Sequence, residues 1–129
     1  MNKCSFSKEQ WLIPDKKFRS APFWSWNGKL NKDELIRQIH VFKEMGMGGF
    51  FMHSRIGLAT EYLSKEWFEM IHGCIAEAEK LDMDAWLYDE DRWPSGYAGG
   101  KVTENPEYRL HLIFLTEVPF EKCADFEVD

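Results

Sequence analysis

Short apolar runs alternate with amphipathic stretches along this chain, and that alternation constrains its fold more than any other feature. Residues 21–26, Ala-Pro-Phe-Trp-Ser-Trp, form an apolar and aromatic run closed by Asn27-Gly28, a turn pair that ends a strand. Residues 48–53, Gly-Gly-Phe-Phe-Met-His, form a second run, short enough for a buried strand and too short for a helix. Residues 83–89, centred on Ala85, Trp86, Leu87 and Tyr88, form a third. Strands are expected near all three.

The stretches between them carry a helical period. Asn31 lies three residues before Glu34, the spacing of a capping box, in which each side chain bonds the other's backbone N–H. Leu35, Ile36, Ile39, Phe42 and Met45 then share one face of a helix over 32–45, with Lys32, Arg37, Gln38, Lys43 and Glu44 on the other and Gly46 as its stop. Ser64 caps a second helix over 64–81, whose apolar stripe is Trp67, Phe68, Ile71, Ile75, Ala78 and Leu81. Strand, helix, strand, helix, strand with short connections is the pattern of parallel βαβ units, so the class is α/β. Trp67 and Trp86 are expected in the core. Residues 1–20 read as an irregular lead-in and 21–104 as the β/α body. From Asn105-Pro106 the pattern breaks, and residues 109–118 read as one strand without a helix before it, which marks the start of a β-rich insertion over 105–129.

Composition narrows the function. A net charge of -6 with no run of Lys and Arg lacks the electrostatic footprint that nucleic acid or an anionic membrane requires. The first ten residues show neither the apolar segment nor the small-residue cleavage site of a secretory signal, so a cytoplasmic location is expected. Cys4, Cys74 and Cys123 are too few and too far apart for a full disulfide set or a CxxC metal site, which fits structural thiols in a reducing compartment. The aromatic share of 16% is high, and aromatic rings either fill cores or make platforms for ring-shaped ligands.

In parallel β/α proteins the ligand-binding groups gather where strands end and βα loops begin. That rim here carries Trp24, Ser25, Trp26 and Asn27 after the first strand, His53, Ser54 and Arg55 after the second, and Tyr88, Asp89, Glu90, Asp91, Arg92 and Trp93 after the third. Three adjacent carboxylates at a strand end repel one another unless something binds them. Asp89, Glu90 and Asp91 are therefore candidates to accept hydrogen bonds from sugar hydroxyls, to act as a general acid or base, or to bind a hard cation such as Ca²⁺; internal pairing with Arg92 is the plain alternative. His53 is a candidate hydrogen-bond donor or proton carrier near neutral pH. Arg55 is expected to pair with the acidic run. Trp24 and Trp26 share one face of their strand; Trp26, nearer the loop, and Trp93 are candidate stacking platforms.

These three segments, residues 21–28, 46–55 and 88–100, resemble the bacterial glycoside hydrolases related to the family 106 α-L-rhamnosidases, most specifically in the third, Tyr-Asp-Glu-Asp-Arg-Trp-Pro-Ser-Gly-Tyr-Ala-Gly-Gly. The resemblance covers about residues 20–109. It implies a (β/α)₈ TIM-type barrel that removes a terminal sugar with two carboxylic acids, with inversion, and in some members a Ca²⁺ in the site. It implies sugar-contact roles for Trp26, Asn27, His53, Arg55, Asp89, Glu90, Asp91 and Trp93, with the catalytic carboxylates on later strands. A barrel of this type takes about 250 residues, so the chain is expected to be its first three β/α units. Alone it is expected to be inactive, with the remainder of the barrel or a second copy as partner. A non-catalytic carbohydrate-binding module and a metal-dependent hydrolase completed by oligomerisation are the alternative readings.

Overall fold

The computed structural model describes residues 7–91, 96 and 98–113. Its elements in chain order are α1 (Lys8–Leu12), a 3₁₀ turn (Lys16–Phe18), β1 (Phe23–Trp26), α2 (Lys32–Glu44), β2 (Gly49–Ser54), α3 (Lys65–Lys80) and β3 (Asp84–Leu87), followed by three further 3₁₀ turns between Ala98 and Tyr108. The strands form one parallel sheet in the order β1-β2-β3. Phe23 stands opposite Phe51 and Trp26 opposite Ser54, while Gly49 stands opposite Asp84 and Met52 opposite Leu87.

Local chemistry sets the helix ends. Asn31 Oδ1 accepts the Glu34 backbone N–H at 3.0 Å, which is one half of the expected box. The other half does not form, because the Glu34 carboxylate is drawn instead to Arg37 at 2.7 Å and Gln38 at 2.8 Å. Those bonds, led by Arg37, hold the Glu34 carboxyl at about 2. Gly46 ends α2 in the left-handed region at φ 81°, where a side chain is strained. The Ser64 hydroxyl accepts the Trp67 N–H at 3.2 Å and caps α3. At the far end of α3, Lys43 Nζ donates to the Leu81 carbonyl at 2.6 Å, satisfying an acceptor that the helix leaves over.

The core lies between the sheet and the pair α2 and α3. Period-two alternation turns Trp24, Trp26, Phe50 and Met52 toward the helices, where they meet Leu35, Ile39, Trp67, Ile71, Cys74 and Ala78. Full burial of side chains of this size stabilises by roughly 1.5–3 kcal/mol each. Trp24 holds its place by edge contacts with Trp26, Phe42 and Phe50 and by donating its indole N–H to Gln38 Oε1 at 2.7 Å. Burial pushes the Cys74 thiol up to about 12, so it packs as an inert apolar group. Among the described residues no helix is long and apolar enough to cross a membrane.

Several expectations are corrected. Part of the lead-in is ordered: α1 starts with a reciprocal capping box between Ser7 and Gln10. Trp86 is 40% exposed, because it lies on the sheet face opposite the helices, stacked on Phe51 with ring centroids 4.7 Å apart. Met45, Phe68 and Ile75 are also exposed: Met45 sits past the last turn of α2, and Phe68 and Ile75 flank the buried stripe of α3. Residues 110–113, the first half of the expected late strand, are exposed and carry no strand; the rest of that strand lies outside the described residues. Cys4 and Cys123 lie outside them as well.

Two glycines set how closely β2 can approach its surroundings. A Cβ at Gly48 would run into the Lys16 carbonyl, and one at Gly49 into the Asp84 carbonyl and the Trp86 ring, whereas Gly28 has nothing within 4 Å. Gly49→Ala is expected to lower unfolding free energy by about 2–3 kcal/mol, as overpacking against backbone does, while Gly28→Ala stays within about 0.5 kcal/mol of wild type. Urea denaturation of the two variants side by side checks this, and equal midpoints would refute it.

Candidate functional site

The face of the sheet opposite the helices ends in a cluster of rings around His53. Ser25 and His53 stand opposite one another in register; His53 and Tyr88 lie toward the carboxyl end of the sheet, and Phe23, the first residue of β1 on the same face, reaches the imidazole from the neighbouring strand. The Phe23 and Tyr88 rings approach the imidazole to centroid distances of 4.3 Å and 4.4 Å. His53 is only 1% exposed, and neither ring nitrogen has a hydrogen-bond partner among the described residues. Burial holds its pKa below the usual 6.5, the Arg55 charge adds to that, and Glu90 opposes it. The ring is therefore neutral at pH 7, with one N–H donor and one acceptor nitrogen unsatisfied. Such groups cost about 1–3 kcal/mol each in a folded protein.

The loops beyond β2 and β3 build a second feature beside this cluster. Arg55 donates its backbone N–H to the Trp26 carbonyl at 3.0 Å, which fixes the start of the β2–α3 loop, and its side chain is exposed. It forms no ion pair among the described residues, contrary to the expected pairing with the acidic run. The acidic run itself diverges. Asp89 is exposed and its carbonyl accepts the Tyr62 hydroxyl at 3.1 Å; Glu90 Oε2 accepts the Gly96 N–H at 3.3 Å; Asp91 is buried. Asp91 lines a cavity of about 320 Å³ together with Arg55, Thr60, Glu61, Tyr62, Lys101 and Glu104. Burial first, and then the charges of Asp91, Asp89 and Glu90, push the Tyr62 phenol up, so it remains a neutral donor.

A Ca²⁺ site was expected as one use of the acidic run. Calcium takes six to eight oxygen ligands and usually several carboxylates. Among the described residues no three His, Cys, Asp or Glu side chains come together in a way that could hold a metal ion. Beyond the end of β3 Asp89 is exposed while Asp91 is buried, so the two carboxylates do not converge, and the described residues do not fit the ion.

Trp26 is corrected too. Its indole is 2% exposed, packed edge-on to Trp24 on the helix side of the sheet, so neither ring face is open for stacking on a sugar. Its N–H has no hydrogen-bond partner among the described residues. Asn27 is exposed, and its carbonyl lies so close to Gly57 (φ 96°) that a Cβ there would meet it at 2.9 Å. Trp93 lies outside the described residues. The structure thus brings His53 together with Phe23 and Tyr88, and Arg55 together with Asp91. Phe23 was legible in principle, since it falls on the alternate face to Trp24 and Trp26. Tyr62, Glu61, Lys101 and Glu104 carry no local signal; they meet only because two loops fold toward each other.

Fold and site define an α/β protein whose parallel sheet carries aromatic and polar groups at the carboxyl ends of its strands. Over 110 residues the chain is 21% identical to a protein from Formosa agariphila named "Putative beta-glucuronidase", an alignment that covers 81% of this chain and 9% of that protein. The chain thus spans about a tenth of the length of the curated relative it matches, and the similarity links it loosely to glycoside hydrolases. No protein-family model matches the chain, and no solved structure matches it significantly.

The environment of His53 has a consequence for stability. The imidazole titrates at 6.5 when unfolded and lower when folded, so as pH falls the unfolded state takes up the proton first. Stability from this source is complete above about pH 6.5 and declines below it, by at most about 1.4 kcal/mol per pH unit. Replacing the ring with a side chain that cannot ionise, His53→Phe, is expected to flatten the curve between pH 7.5 and 5.5. Urea titrations at three pH values measure it; parallel curves for the two proteins would rule the assignment out.

Proposed function

We propose that the chain supplies the first three β/α units of a (β/α)₈ barrel of a glycoside hydrolase, α-L-rhamnosidase-like in its third loop, and contributes part of the sugar-binding face. The observation that carries this reading is His53: a buried, neutral imidazole without a hydrogen-bond partner among the described residues, between two aromatic rings toward the carboxyl end of the middle strand, the end where β/α enzymes bind their ligands. Phe23, Phe51, Trp86 and Tyr88 supply ring surface on that face, and Arg55, Asp89 and Glu90 supply polar contacts at its rim. The similarity to a glycosidase supports the same class.

Hydrolysis of a glycoside needs two carboxyl groups flanking the scissile bond, about 5–9.5 Å apart. Asp89, Glu90 and Asp91 follow one another at a single strand end, a placement that serves one side of a sugar. In this reading the second side comes from later strands of the barrel, and the isolated chain binds without cleaving. The edge of β3, paired only with β2 among the described residues, is where the next unit would add. The metal-dependent alternative loses its support with the divergence of the acidic run.

The test is binding and turnover on the same protein. Saturation-transfer NMR with methyl α-L-rhamnoside is expected to show millimolar binding, weakened at least about fivefold by Tyr88→Ala and by His53→Gln, in line with the loss of one ring contact or one hydrogen-bonding group. The 4-nitrophenyl α-L-rhamnoside and, prompted by the relative's name, the β-D-glucuronide are expected to remain uncleaved. Turnover of either would overturn the division of catalytic labour, and the absence of any sugar binding would overturn the sugar-contact role.

A further inference from the structure

The cavity beside the His53 cluster holds an unusual mixture of groups. Its wall carries two cations, Arg55 and Lys101, and three carboxylates, Asp91, Glu61 and Glu104. Neither cation forms an ion pair among the described residues, nor does Glu61 or Glu104, although opposite charges line the same 320 Å³. The carboxylate of Asp91 is buried in the wall, and the Tyr62 hydroxyl is kept protonated by burial and by the neighbouring acids. The floor is firm: Thr60 is fully buried, its Oγ1 accepts the Leu30 N–H at 3.0 Å, and Tyr62 packs edge-on against Trp67.

A bare anion would satisfy the cations but meet three carboxylates, and a cation would meet Arg55 and Lys101. A ligand that fits both sets must offer one carboxylate and several hydroxyl groups on a body of single-ring size. Sites for small ligands start at about 300 Å³. Arg presents a planar fork matched to a carboxylate, and carboxylate oxygens are the usual acceptors for hydroxyl donors.

We propose that the cavity bounded by Arg55, Tyr62, Asp91 and Lys101 is a subsite for an acidic sugar unit, a uronate, whose carboxylate is held by Arg55 and Lys101 and whose hydroxyls are held by Asp91 and Glu61. This rests on the sugar-binding reading above and adds a charge requirement to it. The cavity is built from the β2–α3 loop and the 3₁₀ turns after β3, beside and not on the ring-lined face of the sheet. It therefore holds a sugar next to the one contacted by His53.

The experiment compares methyl β-D-glucuronide, methyl β-D-glucoside and acetate on the 129-residue chain by isothermal titration, with Arg55→Gln, Lys101→Gln and the double variant. Both cations are exposed, so the variants are expected to keep the wild-type melting temperature. The glucuronide is expected to bind about tenfold more tightly than the glucoside, the scale of one charge-assisted contact, and the double variant to bring the two sugars to equal affinity. Equal affinity for the two sugars would overturn the acidic subsite and leave the sugar-binding reading standing. Acetate binding as tightly as the glucuronide would make this a plain anion site and overturn the proposal. A preference that survives in the double variant places the carboxylate elsewhere and overturns it too. Binding of neither sugar would overturn both readings.

Discussion

A parallel sheet normally buries both faces, because its crossover helices lie against them, and among the described residues the three strands here have only one face covered by helices. That asymmetry governs the rest of the molecule. The covered face takes the largest apolar side chains, Trp24, Trp26, Phe50 and Met52, and closes them against Ile39, Trp67 and Ile71. Gly48 and Gly49 permit this by letting β2 lie close to the Lys16 and Asp84 carbonyls. The opposite face has no such cover from helices, so it must either expose its side chains or cover them with one another. Phe51 and Trp86 stack; Phe23 and Tyr88 close over His53.

The electrostatics of the site follow from that same closure. Aromatic neighbours remove water from His53 without replacing its hydrogen bonds, so desolvation is the leading cause of its lowered pKa and the nearby charges only modulate it. Tyr62 is shifted upward for the same first reason, reinforced by three carboxylates. A neutral imidazole and a neutral phenol are hydrogen-bonding groups at neutral pH, which suits recognition of hydroxyls better than proton transfer. Charge is kept at the loops, where Arg55, Asp89 and Lys101 remain in contact with water.

Among the described residues β3 pairs only with β2, which leaves one edge of the sheet without a neighbouring strand there. Exposed Phe68, Ile75 and Leu87 lie along α3 and β3, the side on which a further β/α unit would pack. Large apolar side chains gathered at one flank are unusual on a finished surface. The reading of the chain as a contributor to a larger barrel rests on that flank and on the arrangement of His53.

The order and type of the central elements could be read from the residues, because strand and helix differ in apolar period and because caps such as Asn31 and Ser64 are local chemistry. The observed bounds Phe23–Trp26, Lys32–Glu44, Gly49–Ser54, Lys65–Lys80 and Asp84–Leu87 lie within a few residues of those expected. The capping box of α1, Ser7 with Gln10, is equally local chemistry. What the residues could not decide was which face of each strand meets the helices. Trp26 and Trp86 are both strand tryptophans, yet one is core and the other half-open, because burial depends on what packs across the sheet. Nor could the string Asp89-Glu90-Asp91 reveal that its carboxylates diverge, or that Asp91 would share a cavity with Arg55 and Lys101. Periodicity and capping are properties of neighbouring residues along the chain; a shared cavity and a desolvated histidine are properties of segments that meet only when the sheet and its loops are assembled.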